Sequence, residues 1–189
     1  MADYLPFDPT PRAPRVLPPP LACDAQFHVF GPPERYPVRP GAAYEMPTAT
    51  IERALAMHRT LGIGRGVIVQ ATTYGADHQV VFDGLAVAGP GYRGCANAAV
   101  LTERDDAYLD RLHAAGVRGA RFSRQSLGIA LTEAQQQRAL DRLRELGWYA
   151  KIQPEAGGIA ENIGPFEDLE IPVLLTGSSE AEAIKLFAN

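Results

Sequence analysis

The chain has 189 residues, 46% of them hydrophobic and 21% charged, ordinary values for one globular domain. Its net charge of −4 gives no reason to expect nucleic acid or an anionic membrane as a partner, and it has no apolar run of about 18 residues to span a bilayer. Seven of the first 21 residues are proline and no apolar segment lies among them, so a secretory signal is not expected and the cytoplasm is the default location.

Residues 1–21, with Pro18-Pro19-Pro20 at their end, suit neither helix nor ladder and should form an extended arm. The first strand is expected over 22–30. There Asp24, Gln26 and His28 alternate with Cys23, Ala25, Phe27 and Val29, a period of two that would put three polar groups on one face. Three such groups need a polar destination, either a wet mouth or a ligand. A loop over 32–47 follows, carrying Arg35, Tyr36, Arg39 and Tyr44. A helix over 49–61 is capped by Thr48 and buries Ile51, Leu55 and His58, the histidine as a packed one bonded to a carbonyl.

The second strand, 65–71, contains Val67-Ile68-Val69, a run suited to a strand covered on both faces. Helices over 76–88, 103–115 and 133–146 alternate with strands over 92–100, 117–123, 148–153 and 172–175. A short helix fits near 160–169. Thr102 reads as the cap of the 103–115 helix, and Thr132 with Gln135 as a capping box. Gly89, Gly91 and Gly94 match a dinucleotide fingerprint by letters only, because they precede a strand instead of following one. Cys23 and Cys95 read as buried small hydrophobes, not as a disulfide or metal pair.

The order is βαβαβαβαβαβ, which argues a parallel α/β sheet with right-handed crossovers. Strand starts recur every 30 residues or so, and eight such units would need about 260 residues. The expectation is therefore an incomplete TIM-barrel type (β/α) fold. It has three parts: the arm 1–21, a partial barrel 22–175 of about five βα units plus a sixth strand, and an atypical tail 176–189 suggesting truncation. A complete six-stranded doubly wound protein is the weaker alternative.

The stretch Asp24-x-x-x-His28-Val29-Phe30-Gly31-Pro32, with Arg35-Tyr36-Pro37 after it, resembles strand one of the amidohydrolase superfamily. The closer likeness is to its amidohydrolase-related branch, which contains 2-pyrone-4,6-dicarboxylate lactonase and other lactone hydrolases. The superfamily pattern is His-x-His, and Gln26 stands where the first histidine would be. An amide oxygen is a poor zinc ligand beside imidazole, so no metal cofactor is expected, one divalent metal such as zinc being the alternative. The strand-six histidine of the family is replaced by Thr176, and the Asp that serves it as general base after strand eight has no counterpart.

Ligands of such barrels sit at the C-terminal strand ends. That rule selects Gln26, His28, Gln70, Thr72, Asn97, Arg121, Ser123, Arg124, Lys151, Gln153 and Glu155. The resemblance implies that His28, with Gln26, polarises a lactone carbonyl. It implies that Tyr44, Thr72, Arg121, Arg124 and Gln153 contact a small carboxylated substrate, the arginines as carboxylate forks. Lys151 reads as the polar face of a strand. The expected activity is hydrolysis of a carboxylated lactone. The alternative is a non-catalytic fragment that binds an anion or forms a homo-oligomer through an open sheet edge.

Overall fold

A computed structural model describes residues 7–42, 44, 46–123, 131–153, 163–166 and 169–176. Six strands form one sheet: β1 (Cys23–Phe27), β2 (Arg65–Val69), β3 (Tyr92–Asn97), β4 (Val117–Phe122), β5 (Tyr149–Ile152) and β6 (Val173–Leu175). Every neighbouring pair is parallel, and the order in space is the order in sequence. A doubly wound sheet reverses direction at a switch point and this one does not, so the winding is that of a barrel. Thr176, just after β6, donates its hydroxyl to Gln26 Oε1 of β1 at 3.1 Å. The sheet therefore curls until its first and last strands face each other across an interior. The fold is the incomplete parallel barrel that the periodicity predicts.

Helices α1 (Ile51–Leu61), α2 (Gln79–Ala88), α3 (Val100–Glu103), α4 (Asp106–Ala115) and α5 (Glu133–Glu145) connect the strands. Their apolar stripes meet the outward side chains of the sheet, and Ile68, Leu101, Leu112, Leu140, Leu143 and Trp148 are fully enclosed there. Ile68 lies so close to α2 that a Cβ on Gly84 would come within 3.1 Å of its Cδ1. A glycine at that place lets helix and sheet approach without strain. Among the described residues no helix is long and apolar enough to cross a membrane.

Two β-bulges decide which side chains enter the interior. In β1, the four residues from Asp24 to Phe27 oppose the three from Gly66 to Ile68. The extra residue resets the alternation. Asp24 and Phe27 face α1, where both meet His58, while Gln26 turns inward to Thr176. The expectation of Asp24, Gln26 and His28 on one face is thus corrected. In β4, Val117 to Gly119 opposes Gly94 to Cys95, so Arg118 is the extra residue. It turns away to the His113 carbonyl at the end of α4, and Arg121 falls on the inner side.

Several histidines are structural. His58 is buried, with Nε2 on Asp24 at 3.1 Å and Nδ1 on the Tyr92 hydroxyl at 3.0 Å, so a carboxylate and a phenol replace the expected carbonyl. His113 Nδ1 accepts from the Trp148 indole at 3.0 Å, with the rings stacked. His78 precedes α2 and has no exposed surface. Its Nδ1–H donates to the Ala76 carbonyl at 3.1 Å, and Nε2 accepts the Asn97 amide at 3.1 Å. The two bonds together specify one neutral tautomer.

Element ends differ from the sequence reading where caps compete. Thr50, not Thr48, sits at the N-cap of α1. Asp105 caps α4 by accepting from the Tyr108 amide, and the preceding turn becomes the separate α3. The capping box of Thr132 and Gln135 is formed. Cys23 is exposed at the start of the edge strand β1, which corrects the expectation that it is buried. The expected tail 176–189 beyond Thr176, half of the 160–169 helix (of which Gly164–Phe166 forms a 3-10 turn), Arg124 and Glu155 lie outside the described residues.

His78 makes the fold acid-sensitive. Burial pushes its imidazole down from 6.5 to about 4. The unfolded chain binds the proton first, so stability is full above 6.5 and falls as pH drops toward 4. The expected loss is about 2–4 kcal/mol in urea titrations across that window. His78→Gln should remove that pH dependence while costing about 1–3 kcal/mol at pH 7.

Candidate functional site

The interior at the C-terminal strand ends is built from side chains that the two bulges and strict alternation turn inward. From β1 and its exit come Gln26 and His28; from β3, Cys95 and Asn97; from β4 and its exit, Arg121 and Ser123; from β5, Tyr149 and Lys151. Ala150 and Ile152 belong to the helix-facing core, which places Lys151 between them on the opposite side. Gly119 leaves room for the Tyr149 ring, since a Cβ there would lie 2.4 Å from its Cζ.

His28 Nδ1 donates to the Val69 carbonyl of β2 at 2.8 Å. With that nitrogen carrying the proton, Nε2 is left with a lone pair. Burial, then the nearby charges of Arg121 and Lys151, hold the imidazole below its ordinary value, against the raising effect of the Val69 carbonyl. The ring is therefore a neutral acceptor at pH 7.

Arg121 is buried, and one guanidinium nitrogen donates to the Gln70 carbonyl at 3.0 Å. That bond fixes the fork, and burial lowers its proton affinity. Tyr44 is close enough to influence the Arg121 charge, and its hydroxyl lies 3.1 Å from Thr72 Oγ1. Thr72 is itself held by its carbonyl, which accepts from Arg39 Nε at 3.2 Å. Thus the structure brings His28, Tyr44, Thr72 and Arg121 into one neighbourhood.

The other expected site residues are placed differently. Gln26 is engaged with Thr176. Gln153 follows β5 with its side chain exposed, and its backbone amide donates to the Phe122 carbonyl. Gln70 is a brace: its amide group donates to the Gly75 and Asp77 carbonyls and so shapes the loop after β2.

Lys151 is the residue that sequence reasoning undervalued. It is 1% exposed, and it pairs in register with Arg121. A lysine between alanine and isoleucine looks like the wet face of a strand until the curl of the sheet encloses that face. Among the described residues, no three His, Cys, Asp or Glu side chains lie close enough to hold a metal ion. His28 shares the interior with two cations, and the amide of Gln26 is spent on Thr176. That donor set does not fit a divalent metal.

A curled parallel (β/α) sheet with a cationic, imidazole-bearing mouth defines a protein of the α/β-barrel class. Two solved structures share the fold. One is a probable 2-pyrone-4,6-dicarboxylic acid hydrolase from Acinetobacter baumannii, solved with citric acid bound. Its TM-score is 0.72 at 19% identity, over 82% of this chain and 57% of that one. The other is an Agrobacterium tumefaciens protein solved in its apo form, with TM-score 0.65 at 21% identity over 87% and 57%.

Residues 23–175 match the amidohydrolase family model, and the chain belongs to that family. Within it the likeness is to the amidohydrolase-related branch. The chain is 36% identical over 152 residues to the 2-pyrone-4,6-dicarboxylate hydrolase of Comamonas testosteroni, covering 80% of this chain and 49% of that protein. It is 29% identical over 167 residues to the 4-sulfomuconolactone hydrolase of Hydrogenophaga intermedia, covering 85% and 53%. The chain spans about half the length of the curated relatives it matches.

The charge pattern around His28 can be measured. Both cations push the ring down, so Arg121→Met should move the NMR titration of His28 upward. An unchanged or lowered midpoint would show that the guanidinium does not face the imidazole.

Proposed function

We propose that the chain takes part in hydrolysis of a small lactone carrying carboxylate groups. The observation that carries this reading is the convergence of His28, Arg121 and Lys151 on one interior, where both cations act on the imidazole. Curated relatives named for hydrolysis of a pyrone dicarboxylate and of a sulfomuconolactone support the substrate class.

Lactone hydrolysis adds water to the ester carbonyl, passes through a tetrahedral oxyanion, and breaks the ring C–O bond. A neutral His28 whose Nδ1 is committed to Val69 offers a lone pair at Nε2 and not a proton. It is therefore suited to taking the proton of the attacking water, and not to polarising the carbonyl as the resemblance implied. Stabilising the oxyanion and holding carboxylates fall to Arg121, with Tyr44 and Thr72 as neutral donors. Gln26 tied to Thr176 would shape the wall beside His28. Arg124, outside the described residues, remains a proposed second carboxylate fork, and Gln153 a proposed contact at the rim. No step is assigned to a metal.

The test is steady-state hydrolysis of 2-pyrone-4,6-dicarboxylate, followed by loss of its ultraviolet absorbance. His28→Gln should lower kcat by about 10²–10⁴-fold with KM nearly unchanged. Arg121→Lys should act mainly on KM, raising it by about tenfold or more. Wild-type kcat/KM should rise with pH through a midpoint below the ordinary histidine value. A His28→Gln chain that keeps the wild-type rate would remove the histidine from the mechanism.

A second reading, self-association, rests on β6, an edge strand whose Leu174 is 42% exposed. Multi-angle light scattering should then find a species heavier than 20.4 kDa, which a charged Leu174→Lys edge would reduce to monomer.

A further inference from the structure

Three inward residues lie in one row across the sheet. Asn97 of β3 is in register with Arg121 of β4, and Arg121 with Lys151 of β5. All three are buried. Asn97 Nδ2 has no hydrogen-bond partner among the described residues. Nor does any described carboxylate form a salt bridge to Arg121 or Lys151. The groups that favour the charge on Lys151 are first Cys95, whose thiol burial pushes up, and then more weakly Asp24, which is already committed to His58.

Burying this row is costly: Arg121 keeps one acceptor, the Gln70 carbonyl, and Asn97 Nδ2 keeps none. Adjacent strands lie about 4.8 Å apart, so the two cations repel each other in a medium that screens them poorly. Leaving water costs each of them several kcal/mol as well. Burial, and more weakly the Arg121 charge, push the Lys151 ammonium below its ordinary value. Groups that destabilise a fold and point at one cavity mark a place where a ligand supplies the missing partner.

On the reading of the site as one for carboxylated lactones, we propose that Lys151 is the specificity-determining anchor. It forms a two-cation clamp with Arg121, with Asn97 Nδ2 as third donor, and selects substrates with two anionic groups over those with one. Arg121 is held by the Gln70 carbonyl and gives a directed fork. Lys151 gives a compact point charge on a flexible stem, able to follow the second anion.

Isothermal titration with two planar, non-hydrolysable probes tests this: isophthalate, with two carboxylates, and benzoate, with one. Wild-type chain should bind isophthalate at least about tenfold more tightly than benzoate. Lys151→Met should lose that preference, with isophthalate weakened by about 10–100-fold and benzoate by no more than about threefold. Without ligand, Lys151→Met should also melt higher, by about 4 °C, because it removes an unpaired buried charge. A merely structural lysine would move the melting point the other way.

Equal preference in wild type and variant overturns the inference, and so does a lowered melting temperature. Isophthalate discrimination without turnover of any lactone would keep the clamp and sink the hydrolase reading. Turnover of 2-pyrone-4,6-dicarboxylate unaffected by Lys151→Met would do the reverse.

Discussion

The inward placement of charge depends on one irregularity, the extra residue between Asp24 and Phe27 of β1. A regular strand would put Asp24, Gln26 and His28 on the same side. With the bulge, the carboxylate goes outward and joins buried His58 and Tyr92 between the sheet and α1. The imidazole of His28 goes inward without an acid beside it. The bulge sorts one acid into the scaffold and leaves the described interior to cations and neutral donors. Had Asp24 followed His28 inside, it would neutralise Arg121 or Lys151 and no anion would be required.

The inward imidazole and the guanidinium groups near it are held by backbone carbonyls. Val69 takes the Nδ1 proton of His28, Gln70 takes one nitrogen of Arg121, and Thr72 takes Arg39. All three carbonyls belong to β2 or the turn that follows it. Three side chains from different segments are thereby oriented by one rigid stretch. Gln70 holds that stretch in shape through Gly75 and Asp77. His78, in the loop after β2, accepts the amide of Asn97, the last residue of β3. Backbone acceptors suit a site meant for anions, because they fix cations without cancelling the charge.

The family assignment and the local chemistry agree at a coarse level and part in detail. Membership of the amidohydrolase family rests on residues 23–175 and the parallel winding. Yet the position that the family pattern reserves for the first histidine holds Gln26, and the threonine after β6 is its partner. Glutamine and threonine satisfy each other where two imidazoles would call for a cation. With Lys151 in the same interior, the electrostatics favour bound anions over bound metals.

Periodicity in the chain was enough to determine the alternation of strand and helix and the parallel winding, local spacing the capping box at Thr132, and the motif around His28 the family resemblance, since each depends on residues close together in sequence. The caps at Thr50 and Asp105 were missed by two and three residues, where several short polar side chains competed for one helix start. What only the tertiary structure decided was direction. A period-of-two pattern cannot reveal a single inserted residue, so the facing of Asp24 was illegible in it. Nor can a strand of Tyr-Ala-Lys-Ile declare whether its lysine meets water or a closed interior. That depends on the curl of five other strands, and the curl buries Lys151 beside Arg121.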